Sequence, residues 1–319
     1  MKMSVPNKSI FCGLIVLIVA GCVNAQSKSF EEALKDRSLK LETLCDPKGG
    51  LVNMKILEEY GAYFTAQNIT FPPTCRFHSA SEVTKFWADL VKNKQTKMVV
   101  IADKEFEFQI CAAQSLERVF RKLIELGINP AELPRGYSNR RGNVKLEFKE
   151  NGKDVRPGGA NKDWASRTYE DTLRNFGMTG EEPENVEAKV DKMISGELSV
   201  KNQTLKTPTY FSDNNRPKMR SVALPGTSQH TVLIAFDLNT SIRRKSDVVE
   251  ELNKAGWYRT VPNDDDHFTY LGWNSESQLK ANGLKKVICK GSSGLIFWIP
   301  NITSFESHQY RNWECTNAN

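Results

Sequence analysis

Residues 224–238 read LPGTSQHTVLIAFDL and place a histidine and an aspartate on either side of an apolar run. A Pro-Gly turn precedes His230, the run Val232–Phe236 follows it, and Asp237 ends it. We interpret the run as a short strand that holds the two polar side chains at a fixed separation. Burying a carboxylate at the end of such a run is costly unless a metal, a cation or hydrogen-bond donors compensate its charge.

A second histidine follows in the segment DDDHFTY, residues 264–270. Two histidines and one carboxylate are a typical ligand set for a catalytic zinc that keeps its fourth position open. The candidate ligands are His230, Asp237 and His267. Asp264 lies three residues before His267 and is the candidate general base, because zinc lowers the pKa of water to about 7 and a nearby carboxylate can then take its proton.

Simpler interpretations of these residues exist. A histidine in an apolar stretch is commonly a hydrogen-bonded core residue, and an aspartate-rich turn is commonly only a turn. We assign that ordinary role to His78 and His308. A hydrolase triad of Ser228, His230 and Asp237 is disfavoured, because residues two apart in an extended chain point the same way without facing each other. The sequence also contains no GxSxG motif.

The composition indicates a globular protein of one large or two ordinary domains. The chain has 319 residues, of which 26% are charged and 39% hydrophobic, so neither disorder nor a membrane bundle is indicated.

Ser29 with Glu32 and Ser79 with Glu82 form predicted capping boxes of two helices. Short strands, predicted at 98–102 and 106–110, precede a third predicted helix with Leu116, Val119, Phe120 and Leu123 on one face. The predicted fold class is α+β.

The N-terminal residues predict export. The apolar segment Ile10–Ala20 follows two lysines and is shorter than the roughly 20 residues of a membrane-spanning helix, which is typical of a secretory signal peptide. Cleavage after Ala25 would release a secreted protein, whereas the lipobox-like VAGC would acylate Cys22 and tether a lipoprotein. We favour secretion to the periplasm or cell envelope. Without the signal's lysines the net charge of +6 falls to about +4, which does not indicate a nucleic-acid partner.

The cysteines point to disulfides. Two of the seven lie in the signal segment, and no CxxC pair exists that would indicate a thiolate zinc site. Disulfides are the default in an oxidising compartment. We predict a disulfide between Cys289 and Cys315.

The motif around His230 resembles a known family. Pro225–Asp237 is similar to the S-x-H-x-x-G-x-A-x-D signature of the zinc D-alanyl-D-alanine carboxypeptidases and dipeptidases of the vancomycin-resistance type. Asp264 to His267 falls where that family has E-x-x-H. The chain is more similar still to a branch of secreted bacterial proteins that share SVA-x-PGTSQH and HFTYLG, here Ser221–His230 and His267–Gly272.

The resemblance implies a D,D-peptidase or hedgehog-like fold, in which a small antiparallel sheet with flanking helices holds a zinc site beside an N-terminal α+β extension. It implies zinc ligation by His230, Asp237 and His267, with Asp264 in place of the catalytic glutamate. Arg167, in the string SRTY, is similar to the family arginine that binds substrate and stabilises the oxyanion. Ser228 would hydrogen-bond substrate. The ordinary alternative for Arg167 is a helix-surface or salt-bridge arginine.

The resulting domain prediction has four parts. They are a signal peptide at 1–25, an N-terminal α+β segment at 26–140 that packs against the rest without forming a site, a Gly/Asn/Lys-rich linker or loop at 141–163, and a zinc peptidase domain at 164–319. Basic residues around the linker, such as Arg140 and Lys145, are interpreted as a solvated face.

The expected function is that of a hydrolase of the cell wall. By the resemblance, it is a zinc metallopeptidase that removes D-alanine from peptidoglycan stem peptides ending in D-Ala-D-Ala. Three departures from the family bear on activity: Leu233 replaces the signature glycine, the base is an aspartate, and Asp266 replaces the tryptophan before the last histidine. The alternatives are a zinc-stabilised, catalytically inactive cell-wall binding module and a peptidoglycan endopeptidase.

Overall fold

The fold is a mixture of helices and small antiparallel sheets, as the sequence predicts. The structure is a computed structural model. The structure describes residues 27–40, 44, 56–58, 60–101, 104–129, 149–150, 153–154, 178, 180–182, 184–186, 188–189, 192, 226–239, 241–262, 264–289, 294–303 and 315–318. The predicted signal peptide and Cys22 lie outside these ranges. Within them, no helix is long and apolar enough to cross a bilayer.

The first helix begins at the predicted capping box. Helix α1 spans Phe30–Asp36, the Ser29 amide donates to Glu32 Oε2 (2.8 Å), and the Glu32 amide donates to Ser29 Oγ (3.2 Å). These two bonds satisfy amides that have no partner inside the helix. The capping box at this helix is therefore confirmed.

Only half of the second predicted box forms. Helix α2 spans Ala80–Lys92, and Ser79 Oγ accepts from the Glu82 amide at 3.2 Å. The Glu82 carboxylate, however, accepts from the amide of His78 at 2.7 Å. The main-chain amides of His78 and Ser79 both precede the helix. The Glu82 side chain is long enough to reach the amide of His78, one residue before the Ser79 amide that the capping box predicts.

A hairpin and a long helix complete the N-terminal part. Strands β1 (Thr96–Ile101) and β2 (Lys104–Gln109) pair antiparallel, with Thr96 opposite Gln109. Each strand begins two residues before its predicted start. Helix α3 (Ile110–Glu125) follows at once and buries the predicted apolar face, Leu116, Val119, Phe120 and Leu123.

Two three-stranded sheets form the C-terminal part. The first, called the site sheet, has the order β5 (Ala235–Asp237), β7 (His267–Tyr270), β6 (Trp257–Tyr258). Helix α4 (Ser246–Lys254) leads into β6. Helix α5 (Glu276–Ala281) leads into the second sheet, whose order is β10 (Cys315–Asn317), β8 (Leu284–Cys289), β9 (Ile296–Pro300).

The predicted disulfide is present. Cys289 and Cys315 are bonded and lie directly opposite each other in β8 and β10. Cys75 and Cys111 each take part in a further disulfide. Of the predicted linker 141–163, the structure describes the two-residue strands β3 (Lys149–Glu150) and β4 (Lys153–Asp154), which pair antiparallel.

The N-terminal segment packs directly on the site sheet. Phe120 of α3 meets Phe236 edge to face with ring centroids 5.5 Å apart, and Phe108 of β2 meets Trp257 in the same way at 5.9 Å. Such aromatic pairs contribute about 0.5–1.5 kcal/mol each beyond the area that they bury. One hydrophobic cluster therefore includes residues from both parts of the chain.

Candidate metal centre

Three predicted ligands come together at one end of the site sheet. His230 lies in the 3-10 turn Gln229–Val232, Asp237 ends β5, and His267 begins β7 directly opposite Asp237. His230 Nε2 is 3.1 Å and His267 Nδ1 is 3.2 Å from the same atom, Asp237 Oδ1. The two imidazole rings are nearly perpendicular, with centroids 4.7 Å apart.

The path between His230 and Asp237 differs from the predicted strand. A continuous strand over seven residues would separate them by roughly 23 Å and point them to opposite faces. Instead, the 3-10 turn is followed by Leu233 in the left-handed conformation, and only Ala235–Asp237 is extended. The predicted strand Val232–Phe236 is therefore confirmed only over Ala235 and Phe236, and the turn that replaces its first part brings the histidine back to the aspartate.

The three side chains fit a metal ion. One ligand atom from each lies within 4.8 Å of the others. Ligands at 2.0–2.2 Å from a tetrahedral zinc would be about 3.3–3.6 Å apart, close to the two nitrogen–oxygen distances found here. The residues are only 2–4% exposed, and a buried carboxylate is stabilised by a cation among its neighbours. The site can therefore hold a metal through two nitrogens and one oxygen.

Leu233 carries the conformation on which this geometry depends. Its φ is 61° and its ψ 40°, its amide donates to the His230 carbonyl (3.0 Å), and its side chain is fully buried. A left-handed conformation costs a residue with a Cβ about 1–2 kcal/mol. Burying a leucine stabilises by about 1.5–3 kcal/mol, so burial outweighs the backbone strain. The glycine at this place in the resembled signature would have neither the backbone strain nor the stabilisation from a buried side chain.

Substitutions at Leu233 should separate these two terms. Leu233→Ala is expected to lower the free energy of unfolding by about 2–5 kcal/mol, because it leaves a cavity. Leu233→Gly should be more stable than Leu233→Ala by about 1 kcal/mol, since glycine relieves the left-handed strain. Urea denaturation of both variants measures the order. An alanine variant as stable as the glycine variant would contradict the strain at this position.

The N-terminal segment holds the turn in place. Trp87 Nε1 in α2 donates to the carbonyl of Thr231 (2.7 Å), and Gln109 Nε2 at the end of β2 donates to that of Val232 (2.9 Å). The Gln109 amide donates to the Leu233 carbonyl (3.0 Å). Three carbonyls of a buried turn thus find donors more than a hundred residues away, and the segment predicted only to pack also positions His230.

Gln229 is a buried part of the site that sequence reasoning missed. Its side-chain Nε2 donates to the Tyr60 carbonyl (2.9 Å). Its Oε1 faces His267 Nε2 at 2.8 Å and the hydroxyls of Thr260 and Thr269. The sequence shows only that Gln229 precedes His230, and this position does not reveal the contacts of its side chain.

Arginines fix the aspartate turn that precedes His267. Arg243 pairs with the Asp266 carboxylate, and Arg244 Nη2 is 2.5 Å from Asp265 Oδ2. Arg259 Nε donates to the Asp265 carbonyl (2.9 Å). Burial lowers the pKa of Arg259 to about 10, and the negative charge of Asp265 partly opposes this shift. The charge of Asp266, which stands where the resembled signature has a tryptophan, is thus neutralised by a cation.

The other predicted site residues lie outside the metal group or outside the described residues. Half-buried Asp264 precedes β7, its carbonyl accepts from the His267 amide (3.2 Å), and it is outside the three-residue metal group. Ser228 is buried, and its carbonyl accepts from the Thr231 amide at 3.1 Å. Arg167 and His308 lie outside the described residues. The catalytic and substrate-binding roles of Asp264, Ser228 and Arg167 stay predictions.

We compared the chain with protein-family models, curated proteins and solved structures. None of the three comparisons found a match. A functional assignment therefore rests on the geometry of the metal group and on the motif resemblance.

Proposed function

We propose that this protein is a zinc-dependent D-alanyl-D-alanine carboxypeptidase with a D,D-peptidase or hedgehog-like fold. The observation that carries the proposal is the convergence of two imidazole nitrogens on one carboxylate oxygen in a buried position. Imidazole and carboxylate ligands suit zinc, and three protein ligands leave a fourth position for chemistry. The substrates are peptidoglycan stem peptides ending in D-Ala-D-Ala, and the place of action is the periplasm or cell envelope.

Three residues of the chain have separate roles around the metal. Zinc, when bound, polarises a carbonyl and lowers the pKa of water. Asp264 takes a proton and later donates it to the leaving amine. Arg167 holds the terminal carboxylate of the peptide and stabilises negative charge that develops on the scissile carbonyl. Ser228 supplies a hydrogen bond to the peptide.

The arginine-held turn fixes the backbone that carries the short base. Aspartate is one methylene shorter than the family glutamate, and a misplacement of about 1 Å can lower a rate a hundredfold. Asp264 follows a turn in which its amide donates to the Val261 carbonyl (3.2 Å) and its carbonyl accepts from His267. Arg243 and Arg244 anchor the next two residues. The backbone of Asp264 is therefore held in a fixed position three residues before the ligand His267.

Release of D-alanine tests the proposal. The purified mature protein should release D-alanine from a pentapeptide ending in D-Ala-D-Ala, lose the activity with a chelator and regain it with zinc. Asp264→Ala should lower kcat by about 10²–10⁴ while zinc content is kept, because it removes only proton transfer. Asp89→Ala is the matched control, since its carboxylate forms an exposed ion pair with Lys85 in α2 and belongs to neither the metal group nor the aspartate turn. No release by the zinc-loaded protein from any stem peptide would overturn the assignment.

Burial of the ligands supports a second candidate. The three ligand side chains are 2–4% exposed, and structural zinc sites are closed. A zinc-stabilised cell-wall binding module would contain zinc and bind muropeptides without turnover. An endopeptidase would instead cut inside the stem or cross-bridge and release no D-alanine. Mass spectrometry of the products in the same assay separates these outcomes.

A further inference from the structure

The orientation of the Gln229 side chain is fixed by the N-terminal segment. Gln229 is 1% exposed, and its amide group contacts the main-chain carbonyl of Tyr60 on one side. A carbonyl only accepts hydrogen bonds, so the amide nitrogen of Gln229 must face Tyr60. The oxygen, Oε1, must then face the opposite side, toward His267.

This orientation determines which nitrogen of His267 carries the proton. An amide oxygen only accepts, so the His267 Nε2 that lies 2.8 Å from Gln229 Oε1 must be the protonated nitrogen. In a neutral imidazole the other nitrogen, Nδ1, then has a free lone pair. That nitrogen is the one 3.2 Å from Asp237 Oδ1, and because a carboxylate oxygen also only accepts, a metal ion between the two atoms is what makes this tautomer favourable.

We propose that Gln229 is a positioning residue that holds His267 in the Nε2–H tautomer and so presents Nδ1 to the metal. The inference rests on the proposed metal site and deepens it, because it identifies what prepares one ligand. Outer-shell partners of ligating histidines generally fix the tautomer and ring orientation. Here the partner is a neutral amide, and burying an amide costs less than burying a second carboxylate beside Asp237.

The two threonines complete the surroundings of the amide oxygen. Thr260 Oγ1 lies 3.2 Å from Gln229 Oε1 and 2.8 Å from Thr269 Oγ1, and the Thr269 hydroxyl also donates to Oε1. Both threonines are fully buried. Because these hydroxyls can rotate, they do not decide the tautomer of His267. They therefore offer a control that perturbs the same cluster without removing the bond to the histidine.

Nitrogen NMR of the zinc-loaded protein tests this arrangement directly. The chain has only four histidines, so ¹⁵N-histidine labelling gives few signals, and His267→Ala identifies those of His267. In the wild type, His267 should be coordinated through Nδ1 and protonated at Nε2. Gln229→Met removes the amide acceptor at similar volume. It should weaken zinc binding by about 10–100-fold.

Thr260→Val is the matched control. It removes a hydroxyl from the Gln229 cluster but keeps the Gln229–His267 bond, so stability should fall while the His267 tautomer and zinc affinity stay those of the wild type. Coordination of His267 through Nε2 in the zinc-loaded wild type would overturn the proposal, and this result does not depend on whether Gln229→Met folds. Wild-type zinc affinity in Gln229→Met would overturn it too. A wild type without D-alanine release would refute the proposed activity alone.

Discussion

Replacing His230 with alanine is expected to abolish the stabilisation that zinc gives to the protein. A ligand that binds only the folded state stabilises it by RT ln(1 + [L]/Kd), which is about 4 kcal/mol at a free zinc concentration a thousandfold above Kd. His230→Ala removes one of three donors that converge within 4.8 Å. Thermal unfolding with and without zinc measures the effect as a shift in Tm.

His78→Ala is the matched control for this prediction. His78 precedes α2, its main chain bonds Glu82, and it is not part of the metal group. This variant should keep the zinc-dependent rise in Tm of the wild type. An equal rise in His230→Ala would mean that zinc binds elsewhere on the chain.

Gly226→Ala is expected to cause the second large effect, on folding. Gly226 has a φ of 81°, and a Cβ at this position would lie 1.8 Å from the carbonyl oxygen of Phe77. The Gly226 carbonyl also accepts from the Phe77 amide at 2.9 Å. Left-handed strain of about 1–2 kcal/mol and a lost buried hydrogen bond of about 1–3 kcal/mol should together lower the free energy of unfolding by about 2–5 kcal/mol.

Gly127→Ala separates the two contributions to this effect. Gly127, after α3, has a φ of 87°, but a Cβ there would meet nothing within 4 Å. The control should therefore show the left-handed strain alone, and urea denaturation gives both values. Equal losses in the two variants would contradict the close approach of Gly226 to Phe77. Zinc affinity should fall only in Gly226→Ala, because this glycine is three residues from the turn that carries His230.

The features that sequence could predict depend on local patterns. The capping box at Ser29 and the apolar face of α3 follow from spacing alone. The ligand set was predictable because two histidines and an aspartate stand close to predicted strands. The disulfide between Cys289 and Cys315 followed from export and proximity in the chain.

The features that sequence could not predict depend on distant contacts. Leucine has no preference for the left-handed conformation, so nothing local indicates that Leu233 reverses the chain after His230. The role of Gln229 requires Tyr60, more than 160 residues earlier, to orient its amide. Trp87 and Gln109 likewise reach the turn only in the folded protein. These contacts make the N-terminal segment part of the metal centre.

Calorimetric titration of the metal-free mature protein with zinc tests the central claim most directly. The geometry predicts one saturable, high-affinity site per chain. Asp237→Asn should bind zinc more weakly by more than about a hundredfold, because a lost ligand charge should cost more than a lost outer-shell partner. The absence of saturable binding in the wild type, or undiminished binding in Asp237→Asn, would contradict a metal centre formed by His230, Asp237 and His267.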